Sequence, residues 1–327
     1  MFVDNCFSEP CRLVHVDSSL DKPSFSVRPK VGVLMSTYNG ARFLLEQIES
    51  IASQSDVDVA LFVRDDGSSD GTVALLSELS ASPLGAIVEW NLDLGENLGF
   101  LSSFERLLLS VSGCDYYAFS DQDDVWDSQK LAAAAGCCAP YGRLPIVYAS
   151  SVQIADEKLS PLGLNSFNGF QYSIPSEFIR HRLAGHTMLW NSSLQETIRS
   201  IGPLSCWSHD QHVVLAALLS GSDLILDRAS YVLHRRLDSS VTPGGGNPLK
   251  RLAHELNLML NRGGKMHRSL LAREILSQRY SISDNDEKFL TMCRDSRRLS
   301  LAFDPSFNCG LALGNLEGRL SVLLGRF

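Results

Sequence analysis

Val31-Gly-Val-Leu-Met35 runs directly into Ser36-Thr-Tyr-Asn-Gly40, and the residues that follow place Leu44, Ile48 and Ile51 on one helical face. A short, continuously apolar run suits a strand buried on both faces, because neither face meets water. The polar loop and the apolar spacing after it then read as strand, loop and helix. The unit repeats along the chain. Val59-Ala-Leu-Phe-Val63 ends in Arg64-Asp-Asp-Gly-Ser-Ser-Asp-Gly71, followed by a helical Thr72 to Leu79. Ile87 to Trp90 reads as a third strand, and Leu101, Phe104, Leu108 and Val111 mark another amphipathic helix. A fourth strand, Tyr116-Tyr-Ala-Phe119, enters Ser120-Asp-Gln-Asp-Asp-Val-Trp126. Such alternation predicts an α/β fold with a mostly parallel sheet flanked by helices, joined by right-handed crossovers, that binds ligands at the strands' carboxyl ends. The polar clusters after Met35, Val63 and Phe119 all fall at that end.

Beyond Asp127 the pattern loosens. Ile146 to Ala149, Leu224 to Leu226 and Tyr231 to Leu233 read as strands, with Asp210 to Leu219 as a helix. Three regions are expected: a loosely ordered leader at 1–29, an α/β domain at 30–243, and a C-terminal helical appendage at 244–327. The domain divides into a ligand-binding half at 30–127 and a second half at 128–243. The appendage is locally basic through Lys250, Arg251, Arg262, Lys265, Arg268 and Arg273, so its helices are a candidate for peripheral contact with an anionic membrane leaflet; a solvated helix face is the alternative.

At 327 residues with 44% hydrophobic and 20% charged, the composition is that of a globular protein rather than a disordered one. A net charge of -8 argues against a nucleic-acid partner, which needs a basic surface to displace counterions. The eight cysteines form no CxxC pair, and the N-terminus has no basic stretch followed by an apolar core, so reduced thiols in a cytoplasmic protein are expected. No apolar run reaches the roughly 18 residues of a spanning helix.

Asp121-Gln-Asp123, with Asp124 beside it, is the most informative short stretch. Carboxylates gathered at the end of a buried strand repel one another unless a cation sits among them, and hard divalent ions prefer oxygen ligands. The alternative is a solvated acidic turn capping a helix from Val125. Asp65, Asp66 and Asp70 around Gly67 and Ser68 can likewise cap their own backbone. An EF-hand counted from Asp66 fails, because Ser77 falls where the bidentate Glu belongs and Glu78 comes one place late. A carboxylate at that strand end can instead accept from the N3–H of a uracil or thymine, which gives Asp66 a task.

Taken in order, Ser36-Thr-Tyr-Asn-Gly40, Arg64-Asp-Asp-Gly-Ser-Ser-Asp-Gly-Thr72, Glu96-Asn-Leu-Gly-Phe100 and Ser120-Asp-Gln-Asp-Asp-Val-Trp126 resemble the family-two glycosyltransferases of the GT-A fold, in particular the bacterial rhamnosyltransferase-like branch. The resemblance covers roughly Lys30 to Val241. It implies a Rossmann-like GT-A sheet and an inverting transfer from a nucleotide-diphosphate sugar, dTDP-rhamnose or otherwise a UDP-sugar. The acceptor it implies is a cell-surface polysaccharide or its polyprenyl-diphosphate-linked precursor. By that match Ser36, Tyr38, Asn39, Asp66 and Asp121 hold the nucleotide sugar, and Asp121 and Asp123 hold Mn2+ or Mg2+. Gly185-His-Thr-Met-Leu-Trp-Asn191 looks like the acceptor-side segment, giving His186, Thr187 and Trp126 that role. Ser208-His-Asp-Gln-His212 looks like the base motif, with Asp210 as catalytic base; a first-turn helix acid favoured by the dipole is the alternative. His209 and His212 are expected at the surface or behind the site. His234-Arg-Arg-Leu-Asp-Ser-Ser-Val241 stands where relatives close over the diphosphate, so Arg235 and Arg236 are candidates for phosphate. Leu237 takes the place of an expected histidine, and His234 is the candidate metal ligand in its stead.

Two other classes compete. A sugar-phosphate nucleotidyltransferase needs a Gly-rich phosphate loop with a lysine near the N-terminus, and Ser36 to Gly40 supplies neither. A non-catalytic nucleotide-sugar or glycan-binding module requires loss of the base or the metal acids, and both are present. Walker loops and Gly-x-Gly-x-x-Gly fingerprints are absent.

Overall fold

A computed structural model of the chain describes residues 11–18, 25–165, 167, 169–236, 267–278, 280, 282–325 and 327. In its first half β2 (Lys30–Thr37), α1 (Leu44–Ala52), β3 (Asp58–Asp65), α2 (Thr72–Leu79), β4 (Ile87–Leu94), α3 (Phe100–Ser110) and β5 (Tyr116–Ser120) alternate as expected. The segment expected to be a loose leader also supplies a strand, β1 (Leu13–Val16), which pairs in parallel with a strand from the far end of the domain. After β5 come β6 (Val125–Trp126), α4 (Lys130–Cys138), β7 (Ile146–Ala155), β8 (Pro161–Asn165), α5 (Ile174–Ile179), β9 (Met188–Asn191), α6 (Ser192–Ile201), α7 (His209–Leu219) and β10 (Asp223–Arg235). Helices α8 (His267–Ser277), α9 (Asp284–Arg294), α10 (Arg298–Phe303) and α11 (Ala312–Leu323) follow.

The sheet order is β1-β10-β7-β9-β5-β2-β3-β4, with β6 on β10 and β8 on β7. β2 pairs in parallel with β3 on one side and β5 on the other, so the chain order reverses there and opens a crevice at the carboxyl ends of β2 and β5. β9 is the antiparallel insertion between β5 and β7. Each face of the sheet has its own core. Val31, Val33 and Met35 point toward α1, α2 and α4, while Leu34 joins Phe104, Phe119, Trp190 and Val213 on the other side. The C-terminal helices share this second core: Phe289 of α9 meets Phe178 of α5 edge-on, with ring centroids 5.8 Å apart, and Phe307 is fully buried beside it. Described residues of the appendage are therefore built into the domain's packing. The boundary expected at 244 lies outside the described residues, as do Leu237, Lys250, Arg251, Arg262 and Lys265.

Two local readings change. No helix starts at Val125, because Val125 and Trp126 pair with Leu233 and Val232 as β6. Leu224–Leu226 and Tyr231–Leu233 belong to the single strand β10, interrupted by register shifts around Ser230. Asp227 explains the break in the pattern: fully buried, it accepts from Tyr148 Oη at 2.6 Å and from the Ala229 N–H at 2.9 Å.

One turn makes a testable demand. Gly85 sits at φ +56°, and a Cβ there would stand 2.1 Å from the Ala52 carbonyl oxygen, which already accepts from the Ala86 N–H. Backbone cannot yield as a flexible side chain can. Gly85→Ala is expected to cost about 1–3 kcal/mol, read as a lower urea midpoint with an unchanged slope. An unchanged midpoint would mean that this turn relaxes without cost.

Candidate active site

Three loops converge at the carboxyl ends of β2, β3 and β5. The first two are laced together by the chain's own polar groups. Asp65 accepts from Thr37 Oγ1 at 2.8 Å and from the Ser68 N–H and hydroxyl at 2.8 and 2.6 Å. Asn39, in the left-handed region at φ 48°, donates its N–H to Ser68 Oγ, and its Oδ1 accepts from the Ser69 N–H, both at 2.9 Å. Asn39 thus braces two loops. Asp66 departs from expectation too. It is buried, and its oxygens accept from Arg64 at 2.5 Å, the Leu98 N–H at 2.7 Å and the Gly99 N–H at 2.8 Å. Arg64 also donates to Ser103 Oγ, which is 2.7 Å from Ser36 Oγ. Ser36 and Asp66 therefore belong to one buried network that draws the Glu96–Phe100 loop onto the strand ends. Tyr38 keeps its ring half exposed, while its backbone N–H and carbonyl are clamped by the Gln122 side chain at 2.9 and 3.1 Å. Gln122, not singled out in the sequence, ties the first loop to the acidic one. A Cβ at Gly40 would lie 2.2 Å from its Oε1.

The acidic loop meets two histidines. Asp121 Oδ2 lies 3.1 Å from His186 Nδ1, and Asp124 Oδ1 lies 2.8 Å from His234 Nδ1. The two imidazoles stack with centroids 4.6 Å apart. One ligand atom from each of Asp121, Asp124, His186 and His234 fits within 4.8 Å of the others. The register of β6 on β10 produces this: with Val125 opposite Leu233, the next pair outward is Asp124 and His234. Asp123, expected as a metal ligand, stands outside the group. Its backbone oxygen accepts from Arg235 Nε at 3.0 Å, while burial and then repulsion from Asp124 and Asp121 push its carboxyl up to about 7. His186, expected on the acceptor side, belongs to the cluster. Burial alone would lower its imidazole, but Asp124 and Asp121 push it up to about 9. The cluster thus draws positive charge. Asp124 Oδ2 and His186 Nε2 are buried without hydrogen-bond partners, an arrangement that a divalent cation bound by carboxylate and imidazole would satisfy.

Other expected residues serve the framework. Arg235 is 3% exposed; it also donates to the Glu157 carbonyl and the Glu46 carboxylate and lies over the Phe43 ring, so its guanidinium bolts the acidic loop to α1 rather than facing a phosphate. Arg236 extends the pairing of β10 through its N–H to the Ala155 oxygen. Trp126 is buried in the sheet's first core with the Lys130 ammonium 3.7 Å from its ring centroid, and it does not line an acceptor surface. Thr187 Oγ1 donates to the Ala184 carbonyl within its own turn.

Asp210 lies in the first turn of α7, where the helix dipole favours a negative charge. Its Oδ2 accepts from the Gly185 N–H at 3.1 Å, and its Oδ1 from the Gln211 N–H at 2.9 Å, with His181 Nε2 at 3.3 Å. Burial works to raise this carboxyl, but His181, and His209 beyond it, outweigh burial and hold it well below the usual carboxylate range. The turn Gly185–Thr187 consequently touches Asp210 through Gly185 and the acidic cluster through His186, making the two neighbours. His209 and His212 are buried rather than superficial. His209 stacks on Phe104 at 4.0 Å, and burial lowers both imidazoles, that of His212 to about 4.

Residues 32–136 match Glycosyl transferase family 2. Among curated proteins, the chain is 37% identical over 105 residues to the dTDP-rhamnosyl transferase RfbG of Shigella flexneri, covering 32% of this chain and 36% of that one. It is 32% identical over 107 residues to the glycosyltransferase alr2836 of Nostoc, covering 31% and 30%. The aligned segment thus spans about a third of the length of these relatives. Among solved structures, TarS 1–349 of S. aureus in complex with UDP-GlcNAc has a TM-score of 0.58 at 16% identity, covering 90% of this chain and 79% of that one. The likeness carries the GT-A fold well past the segment matched in sequence.

Proposed function

From the match of residues 32–136 to Glycosyl transferase family 2, we propose that this protein is a metal-dependent inverting glycosyltransferase that adds a sugar to a glycan hydroxyl in cell-surface polysaccharide synthesis. The observation that carries this reading is the single turn Gly185–Thr187, which places an ionised, part-buried carboxylate beside a carboxylate–imidazole cluster at the reversal point of the sheet. Asp210 takes the proton of the acceptor hydroxyl. The freed oxygen forms its bond to the anomeric carbon from one face as the bond to the diphosphate breaks on the other, and the nucleoside diphosphate leaves with the electron pair. One displacement inverts the anomeric centre. Asp121, Asp124, His186 and His234 would hold Mn2+ or Mg2+, which supplies Lewis-acid charge to a departing diphosphate. Tyr38 offers its exposed ring as a base platform, and the Asp66–Arg64–Ser103–Ser36 network holds the loop that borders it.

Similarity to RfbG favours dTDP-rhamnose as sugar donor, with a UDP-sugar as the alternative. The acceptor we propose is a growing polysaccharide, carried on a polyprenyl diphosphate at the cytoplasmic face of the membrane. Among the described residues no helix is long and apolar enough to cross a membrane. A thermal-shift panel of dTDP, UDP, GDP and ADP, each with and without Mn2+, tests the donor site. A nucleotide present at a hundred times its Kd adds about 2.7 kcal/mol of stability, so a rise with dTDP or UDP that requires Mn2+ is expected. No shift with any nucleotide would favour a glycan-binding module instead.

A further inference from the structure

Glu177 and His181, which the transfer chemistry above does not use, form a buried string with Asp210. His181 follows α5, one helical turn after Glu177. Its Nδ1 is 2.5 Å from Glu177 Oε2, and its Nε2 is 3.3 Å from Asp210 Oδ1. The Glu177 side chain is 0% exposed, and those of His181 and Asp210 are 13% and 14% exposed. We infer that His181 is a positioning residue for Asp210: clamped between two carboxylates, its imidazole locks the Asp210 carboxylate in one orientation beside the Gly185–Thr187 turn. The inference rests on the reading of Asp210 as the base.

The chemistry of the ring decides its state. A neutral imidazole donates from one nitrogen only and would turn its lone pair toward the other carboxylate. An imidazolium donates to both. Glu177 needs that cation independently, because its carboxylate is enclosed in protein and its Oε1 has no hydrogen-bond partner; a buried carboxylate without a counter-charge is strongly disfavoured. Burial disfavours the charged ring, but Glu177 and Asp210 together hold it well above the ordinary histidine range. His181 therefore holds a positive charge 3.3 Å from Asp210 Oδ1, in a ring fixed from behind by Glu177. The Gly185 and Gln211 N–H groups are the two hydrogen-bond donors on that carboxylate, and the imidazolium 3.3 Å away supplies the charge that favours the orientation they set.

Two measurements test this. In protein labelled with 15N-histidine, His181 is identified by the signal missing from His181→Gln. At about pH 8 both of its ring nitrogens are expected to be protonated in the wild type, and that state is expected to be lost in Glu177→Gln. A neutral ring in the wild type overturns the inference whatever turnover shows. Turnover is then followed as dTDP release from dTDP-rhamnose with Mn2+. His181→Ala is expected to lower kcat about tenfold or more with KM for the sugar donor within about threefold, and His181→Gln, which keeps one N–H donor, to recover part of the loss. A His181→Ala kcat near wild type, with Asp210→Asn inactive, refutes the role of His181 alone. Full turnover in Asp210→Asn refutes the base assignment and the inference together.

Discussion

Asp210→Asn is expected to lower transfer turnover by about 10²–10⁴-fold while leaving the fold and the nucleotide-induced rise in melting temperature in place. Asn matches Asp in volume and keeps a carbonyl oxygen that can accept the Gly185 N–H, so the turn carrying His186 stays tethered. What it loses is the lone pair that takes the acceptor's proton. The magnitude separates this reading from a purely structural one, in which a first-turn acid is worth only about 0.3–1 kcal/mol and turnover would scarcely change. Linkage gives a second check. The lowered Asp210 carboxyl contributes stability that is present above the unfolded carboxylate value of about 3.9 and is lost as pH falls through its folded value. The raised His181 imidazole contributes stability that is fully present below about 6.5 and is lost as pH rises through its folded value. At about pH 6 both contributions are in force, and the variant, which removes the first and weakens the second, is expected to melt below wild type there. Turnover within about threefold of wild type would take Asp210 out of the reaction.

The parts of this protein that could be read in the sequence are those whose signal is local. Val31–Met35 and Val59–Val63 are buried on both faces, so their side chains must be apolar at every position, and the helices between them carry a 3.6-residue period. Their loops had to fall at one end because parallel strands all point the same way. Strand β10 was split because Asp227 is a buried polar residue inside it, matched by Tyr148 from a neighbouring strand 79 positions away in sequence. The leader's strand was invisible for a related reason: Leu13-Val-His-Val16 is short, and it becomes a strand only by pairing with Leu224–Asp227.

Among candidate residues the same division holds. His234, expected as a metal ligand because it is the histidine nearest the expected position, lies in the carboxylate–imidazole cluster. Ser36, Asn39, Asp66 and Arg235 sit at the right strand ends, yet their side chains bind the chain's own groups, and no motif states whether a polar atom faces a ligand or a neighbouring loop. His181 and Glu177 lie in no recognisable motif. Their i, i+4 spacing was the only local signal, and it becomes meaningful only when Asp210 arrives on a different helix. Trp126, expected on the acceptor side, stands beside the acidic loop, yet a large ring there is equally the lid of a core.

The same acidic stretch yields the sharpest contrast in metal binding. Asp124→Asn is expected to weaken Mn2+ binding by at least about 100-fold, measured by calorimetry or by the free-Mn2+ resonance signal, whereas Asp123→Asn is expected to leave it within about threefold. The resemblance to family-two glycosyltransferases implies Asp121 and Asp123 as the pair. The strand pairing reverses that choice: β6 against β10 turns Asp124 inward to His234 at 2.8 Å and within 3.6 Å of His186, while Asp123 contributes only its backbone oxygen to Arg235. Asp124 is fully buried and one of its oxygens has no hydrogen-bond partner, so Asn in its place removes both the charge and an anionic ligand atom. Asp123 has the opposite electrostatic position. Burial and the repulsion of Asp124 and Asp121 push its carboxyl up to about 7, so neutralising it relieves a repulsion and costs little at neutral pH. Equal losses in the two variants would mean that the loop rearranges around the ion; a larger loss in Asp123→Asn would restore the pair that the resemblance implies and remove Asp124 from the site.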